Sequence, residues 1–181
     1  GLPASQGATP RTAGFTAVEP ADLRPATQAW TMLLMFIGGS PGSTAGGIKT
    51  ATAFVLVGSA WSLARGRGAL QAFGRRVSDA LLIRAFVVAF LAATLLGAGV
   101  TALFWLEPAV DPLALAFEAV SAFGTVGLSL GATEAVSAPA KGVLMALMLI
   151  GRIGPLTLAL ALVEAPRTRR VQRPTEDVII G

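Results

Sequence analysis

Apolar and polar positions along the chain sort into long apolar runs separated by short charged segments. Residues 85–106 carry no charged side chain. A run of that length crosses a hydrocarbon core as one helix of about 20 residues. Residues 142–163 form a second such run, interrupted by Arg152 and Pro155. A third, 28–64, is apolar at both ends, but its centre reads Gly38-Gly39-Ser40-Pro41-Gly42-Ser43-Thr44-Ala45-Gly46-Gly47-Ile48-Lys49. Five glycines and a proline there cannot continue a stable helix, so the pattern predicts a helix broken at 38–49, near mid-bilayer. A fourth apolar stretch, 112–131, is too short to cross and return as two helices. It predicts a short re-entrant helix and an extended return strand, tolerated where the exposed backbone lines a cavity instead of lipid.

Composition agrees with this all-α integral membrane pattern. The chain has 181 residues, 54% hydrophobic and 13% charged, with a mean hydropathy of +0.70. A soluble domain is about a quarter charged, so much of this surface is not made for water. Absence of cysteine and histidine excludes disulfides, thiol chemistry and most zinc sites. The net charge of +4 invites a nucleic-acid reading, but its placement favours a lipid bilayer. Arg65, Arg67, Arg75, Arg76 and Arg84 lie between the first two runs, and Arg167, Arg169, Arg170 and Arg173 follow the last. Glu19, Asp22, Glu107 and Asp111 lie at the opposite ends. Short basic loops stay cytoplasmic, which orients the chain as a multi-pass protein of the cell membrane with a cytoplasmic C-terminus and no nucleic-acid partner.

The return strand holds Thr125-Val126-Gly127-Leu128, and the same pattern stands at Thr12-Ala13-Gly14-Phe15. Both copies fall on the outer side, each ahead of a run leading inward. A pore that strips water from a cation must replace it with oxygen dipoles, and backbone carbonyls with threonine hydroxyls provide them. Glycine permits the angles that aim successive carbonyls the same way. One Thr-x-Gly is a common loop tripeptide; two in matching slots point to an internal repeat of outer helix, pore helix, filter strand and inner helix. Residues 84–163 supply one whole unit and 1–64 the end of another, so the chain reads as a piece of a longer subunit.

The glycine-rich break does not read as a phosphate loop, since Ile48 stands where lysine is required and Lys49 is one position late. A midplane site of a secondary transporter for sodium or a small solute also suits the break, yet leaves the paired strands unexplained. An intramembrane enzyme lacks players: Glu118 is the single carboxylate inside an apolar segment. Arg152 at membrane depth requires a partner or a wet cavity. It reads either as half of a structural ion pair, with Glu118 as its candidate partner, or as a positive barrier below the filter. Lys49 snorkels, pairs or joins the gate.

These motifs resemble the Ktr/Trk/HKT potassium transporters, whose pore-forming subunits carry four such units around one pore. RTAGF at 11–15 looks like their third filter and SAFGTVGLS at 121–129 like their fourth. GGSPGSTAGGIKT at 38–50 looks like their intramembrane gating loop. The resemblance implies potassium held by backbone carbonyls at Thr12, Gly14, Thr125 and Gly127. It implies a gate formed by Gly42, Ser43, Thr44, Ala45, Gly46, Gly47 and Lys49 with Arg152. Charge placement makes 65–83 a cytoplasmic linker and 164–181 a cytoplasmic tail, and the resemblance implies a tail of Ktr type, packing at a homodimer interface. A cytosolic ring of nucleotide-binding regulatory subunits is the implied partner. No cofactor is implied beyond potassium as transported ion, with sodium a candidate activator.

Overall fold

The computed structural model describes residues 20–43, 45–66, 71–72 and 75–154. The elements are a short 3-10 turn Pro20–Asp22, helices α1 Pro25–Phe36 and α2 Thr50–Ala64, a two-stranded pair β1 Gln71–Ala72 and β2 Arg75–Arg76, and then four helices. These are α3 Asp79–Leu106, α4 Pro112–Gly124, the single turn α5 Ala132–Ala135, and α6 Ala138–Ile153. The strands pair antiparallel in the basic segment, Gln71 with Arg76 and Ala72 with Arg75.

Local chemistry sets the helix ends. Pro25 and Pro112 sit in the first turns of α1 and α4, where a missing N–H costs nothing and the fixed φ suits the helix. The Asp111 carboxylate accepts from the Ala114 N–H at 3.0 Å, satisfying one of the free donors of the first turn of α4. Ser78 caps α3 in the same way, and Asp79 follows in its first turn, where a negative charge faces the positive end of the helix dipole.

Among the described residues α3 alone, with 28 residues, is long and apolar enough to cross a membrane. At 1.5 Å per residue it measures about 42 Å, more than a hydrocarbon core of roughly 30 Å requires. Its flank is open: Ile83, Phe86, Phe90 and Trp105 are exposed, Trp105 at 89%. An apolar helix with exposed aromatics on one side faces lipid or another part of a larger assembly. Its opposite side packs on α6, where Gly99 meets the Leu147 side chain.

The core surrounds α4. Residues Phe117 through Gly124 are all buried, so this helix is sheathed in protein. One cluster joins Leu103 of α3, Leu115, Ala119 and Phe123 of α4, and Leu144 and Leu147 of α6, with Ile48 of the loop after α1. A second joins Met35 of α1 to Phe117, Val120, Val126 and Leu128. The sequence pattern anticipated the break between two helices, the span at 85–106 and a short helix followed by non-helical chain. Among the described residues only the run 85–106 lies in a helix long enough to span, the run 142–163 is helical as far as Ile153 with its end outside those residues, and 126–130 forms no paired strand.

Candidate functional site

The last turn of α4 and the chain that leaves it form the centre of the site. With 13 residues, α4 is about 20 Å long and cannot cross a bilayer. It stops in a hydrogen-bonded reversal in which the Thr125 N–H donates to the Ala122 carbonyl at 3.1 Å and the Val126 N–H to the Ser121 carbonyl at 3.0 Å. That pair of bonds is a Schellman turn, which needs one left-handed residue, usually glycine. Here it is Thr125, at φ 54° and ψ 39°, the one non-glycine residue at positive φ among the described residues. A β-branched residue in that region is strained and persists only where its surroundings hold it.

What holds Thr125 is the glycine-rich break. Its Oγ1 accepts from the Gly46 N–H at 3.1 Å, across 79 positions of sequence. Gly46 approaches so closely that a Cβ on it would lie 2.8 Å from the Phe123 carbonyl oxygen and 2.9 Å from Thr125 Oγ1. Any larger residue would push the loop off the end of α4. The carbonyls at the end of a helix carry its negative partial charge, which favours a cation nearby.

The break has defined structure. Ile37 and Ile48 form a parallel bridge, the Ile48 N–H donates to Phe36 O at 3.0 Å, and the Thr50 N–H to Gly39 O at 3.1 Å. The loop thus leaves α1, folds back on itself and re-enters as α2. Residues Ala45, Gly46, Gly47 and Ile48 are buried, while Ser40 through Ser43 are exposed. Lys49 joins the loop: its Nζ donates to the Ala45 carbonyl at 2.7 Å and to the Ser43 carbonyl at 3.1 Å.

The segment 126–130 then runs back along α4. Gly127 has φ 86° with open space where a Cβ would stand, so the backbone angle alone demands glycine there. At the far end Glu118 of α4 takes up the chain. One carboxyl oxygen, Oε1, accepts from the Ser129 hydroxyl and from the Leu130 N–H at 3.2 Å. The other accepts from the Thr133 hydroxyl at 2.7 Å. The ion pair with Arg152 considered from the sequence therefore gives way to a different set of partners for Glu118. A cavity of about 640 Å³ opens beside this segment, lined by Thr125, Gly127, Ser129, Lys141 and Met148 among others.

Residues 5–172 match the TrkH family of cation transport proteins. The chain belongs to the TrkH family. Its relatives include the Ktr system potassium uptake protein B of Bacillus subtilis, 36% identical over 176 residues, 97% of this chain and 39% of that protein. The potassium/sodium uptake protein NtpJ of Enterococcus hirae is 37% identical over 178 residues, 96% of this chain and 40% of that protein. A Ktr system potassium uptake protein B of Vibrio alginolyticus is 34% identical over 176 residues, 97% and 38% respectively. The chain spans about two fifths of the length of these relatives. The family is one of cation transport proteins, and these relatives are named for potassium or potassium/sodium uptake.

For this TrkH-family chain the structure joins two of the motifs singled out from the sequence. Gly46 of the break and Thr125 of the Thr-x-Gly segment are in contact, and Gly42, Ser43, Ala45, Gly47 and Lys49 belong to the same loop. Arg152 lies in the last turn of α6 and is exposed. Its neighbour Gly151 abuts the Phe123 carbonyl, the same group that Gly46 approaches. The helix of Arg152 and the glycine loop thus meet at one end of α4. Thr12, Ala13, Gly14, Phe15, Thr44 and the tail 164–181 lie outside the described residues. Ser129 and Thr133 went unread as Glu118 partners. A carboxylate amid apolar helix followed by hydroxyls 11 and 15 residues on is a signal only once the chain is known to double back.

Proposed function

We propose that this chain is the filter and gate portion of a potassium-uptake subunit. The observation that carries the reading is the hydrogen bond from Gly46 to Thr125 Oγ1 at the end of α4. It ties a glycine-rich break to the base of a segment in which Thr125 and Gly127 both stand at positive φ. In this reading the carbonyls of Thr125 and Gly127 replace part of an ion's hydration shell, and Val126 and Leu128 turn away into the core, where both are buried. Thr12, Ala13, Gly14 and Phe15 form the matching segment of a neighbouring pore unit. The loop of Gly42 to Lys49 obstructs the path below, and Arg152 adds a positive charge that opposes passage.

Potassium as the ion is supported by relatives named as potassium uptake proteins. Sodium along the same path is the second reading, favoured by the potassium/sodium uptake protein among the relatives, and sodium is also a candidate activator. The homodimer, the cytosolic nucleotide-binding ring and the cytoplasmic C-terminus are carried over from the Ktr resemblance and the placement of basic residues. The test is potassium-dependent growth and uptake by the full-length subunit in cells lacking their own uptake systems. Rescue by the wild type and a lowered potassium-over-sodium preference in Gly127→Ser are the expected results. Failure of the wild type to take up potassium, or unaltered selectivity in the variant, overturns the reading.

A further inference from the structure

We infer that Glu118 is a positioning residue for ion selection, holding the far end of the segment 126–130 in register with α4. The inference rests on the reading of 125–128 as an ion filter. The segment is suspended from one helix at two points. At its near end, Thr125 and Val126 donate to the carbonyls of Ala122 and Ser121. At its far end, the Leu130 N–H and the Ser129 hydroxyl both donate to Glu118 Oε1. Among the described residues, no backbone hydrogen bond holds the N–H of Gly127, Leu128 or Ser129. The spacing of the intervening carbonyls is therefore set by the two anchors and by the packing of Val126 and Leu128.

The second anchor extends beyond the segment. Thr133 of α5 donates to Glu118 Oε2 at 2.7 Å, and the Gly131 N–H donates to Ser129 Oγ at 2.8 Å. One carboxyl group thus gathers the end of the segment, the turn after it and the helix beyond. Glu118 is 6% exposed, and a buried carboxyl group is tolerated at such a place only when donors satisfy it. With both oxygens engaged it acts through the segment and not as an ion ligand. From Glu118 to Gly124 the helix rises about 9 Å, whereas four extended residues reach roughly 13 Å. The segment is therefore longer than the stretch of helix it runs along, and the Glu118 anchor fixes where its far end lies. Without it the carbonyls of Gly127 and Leu128 are free to re-aim, and ions of different radius are no longer told apart.

The experiment uses the full-length subunit in uptake-deficient cells. It measures the potassium KM and the potassium-over-sodium preference, each normalised to protein in the membrane. Ser129→Ala, Thr133→Val and Glu118→Ala are expected to lower the preference. The glutamate variant falls furthest, by about tenfold, the scale of one or two lost hydrogen bonds at a buried group. Glu118→Gln keeps an acceptor for Ser129 and Leu130 and recovers part of the loss. Glu134→Gln, at an exposed acid of α5, leaves both quantities unchanged. If Glu118→Ala does not accumulate, Ser129→Ala and Thr133→Val decide, since they remove donors and leave α4 intact. Wild-type preference and KM in Ser129→Ala, Thr133→Val and Glu118→Gln overturn the inference alone. A wild type that takes up no potassium overturns the functional reading as well.

Discussion

Thr125 occupies a backbone region that a threonine enters at a cost of about 1–3 kcal/mol. A glycine would form the same turn without strain, so the reason for threonine lies in its hydroxyl. By the sequence pattern alone, that hydroxyl reads as an ion ligand. The structure gives it the Gly46 N–H as donor, a contact that no local pattern reveals because its partners are 79 residues apart. This leads to a paired expectation. Thr125→Val keeps the branched shape and removes the acceptor, so the loop loses a tie of about 1 kcal/mol and basal potassium flux rises several-fold. Thr125→Ser keeps the acceptor and stays near wild type. Flux into cells expressing the full-length subunit reads the difference, and equal flux in both variants refutes the tie. Gly127 was legible for the opposite reason: its requirement is a backbone angle, which the Thr-x-Gly pattern encodes in three consecutive residues.

At the scale of elements, the break between α1 and α2 was readable because glycine and proline act on their own backbone. Where the loop would rest was not readable, since that depends on the carbonyl end of α4 and on Gly151 of α6. Their convergence on the Phe123 carbonyl bears on Arg152, one residue further along α6. Arg152→Ala is expected to raise potassium flux through the full-length subunit, and unchanged uptake kinetics would assign the side chain a structural role only. A second element pair is joined outside the span. The Glu107 carboxylate at the end of α3 meets Ser137 at the start of α6, accepting its N–H at 2.7 Å. Hydrogen bonding from the Ser137 side chain, with its backbone N–H, holds this carboxyl below the ordinary glutamate range. A lowered folded-state pKa means that the bond stabilises the protein above the ordinary glutamate value of about 4.3 and is lost as pH falls through the folded-state value. The unfolding temperature of the purified subunit is therefore expected to fall on acidification in the wild type, with a shallower pH dependence in Glu107→Gln. Identical pH profiles would exclude the contribution.

Across the whole molecule, charge placement and apolar run length sufficed for a helical membrane protein, because bilayer thickness and the cost of buried charge act on any sequence alike. They did not locate the contacts of α4. Short buried helices take their neighbours from shape, and the small residues that admit them, Gly46 and Gly151, look in the sequence like any other glycine. The Lys49 ammonium has a consequence at this scale. A ring of bare carbonyls below a filter would capture the ion it had just released and stall conduction, which needs sites weak enough to leave. In the proposed path the carbonyls of Ser43 and Ala45 already hold a cation that is covalently part of the chain. In that proposed path the protein carries its own occupant for the trap, and the travelling ion would find no place there to stop.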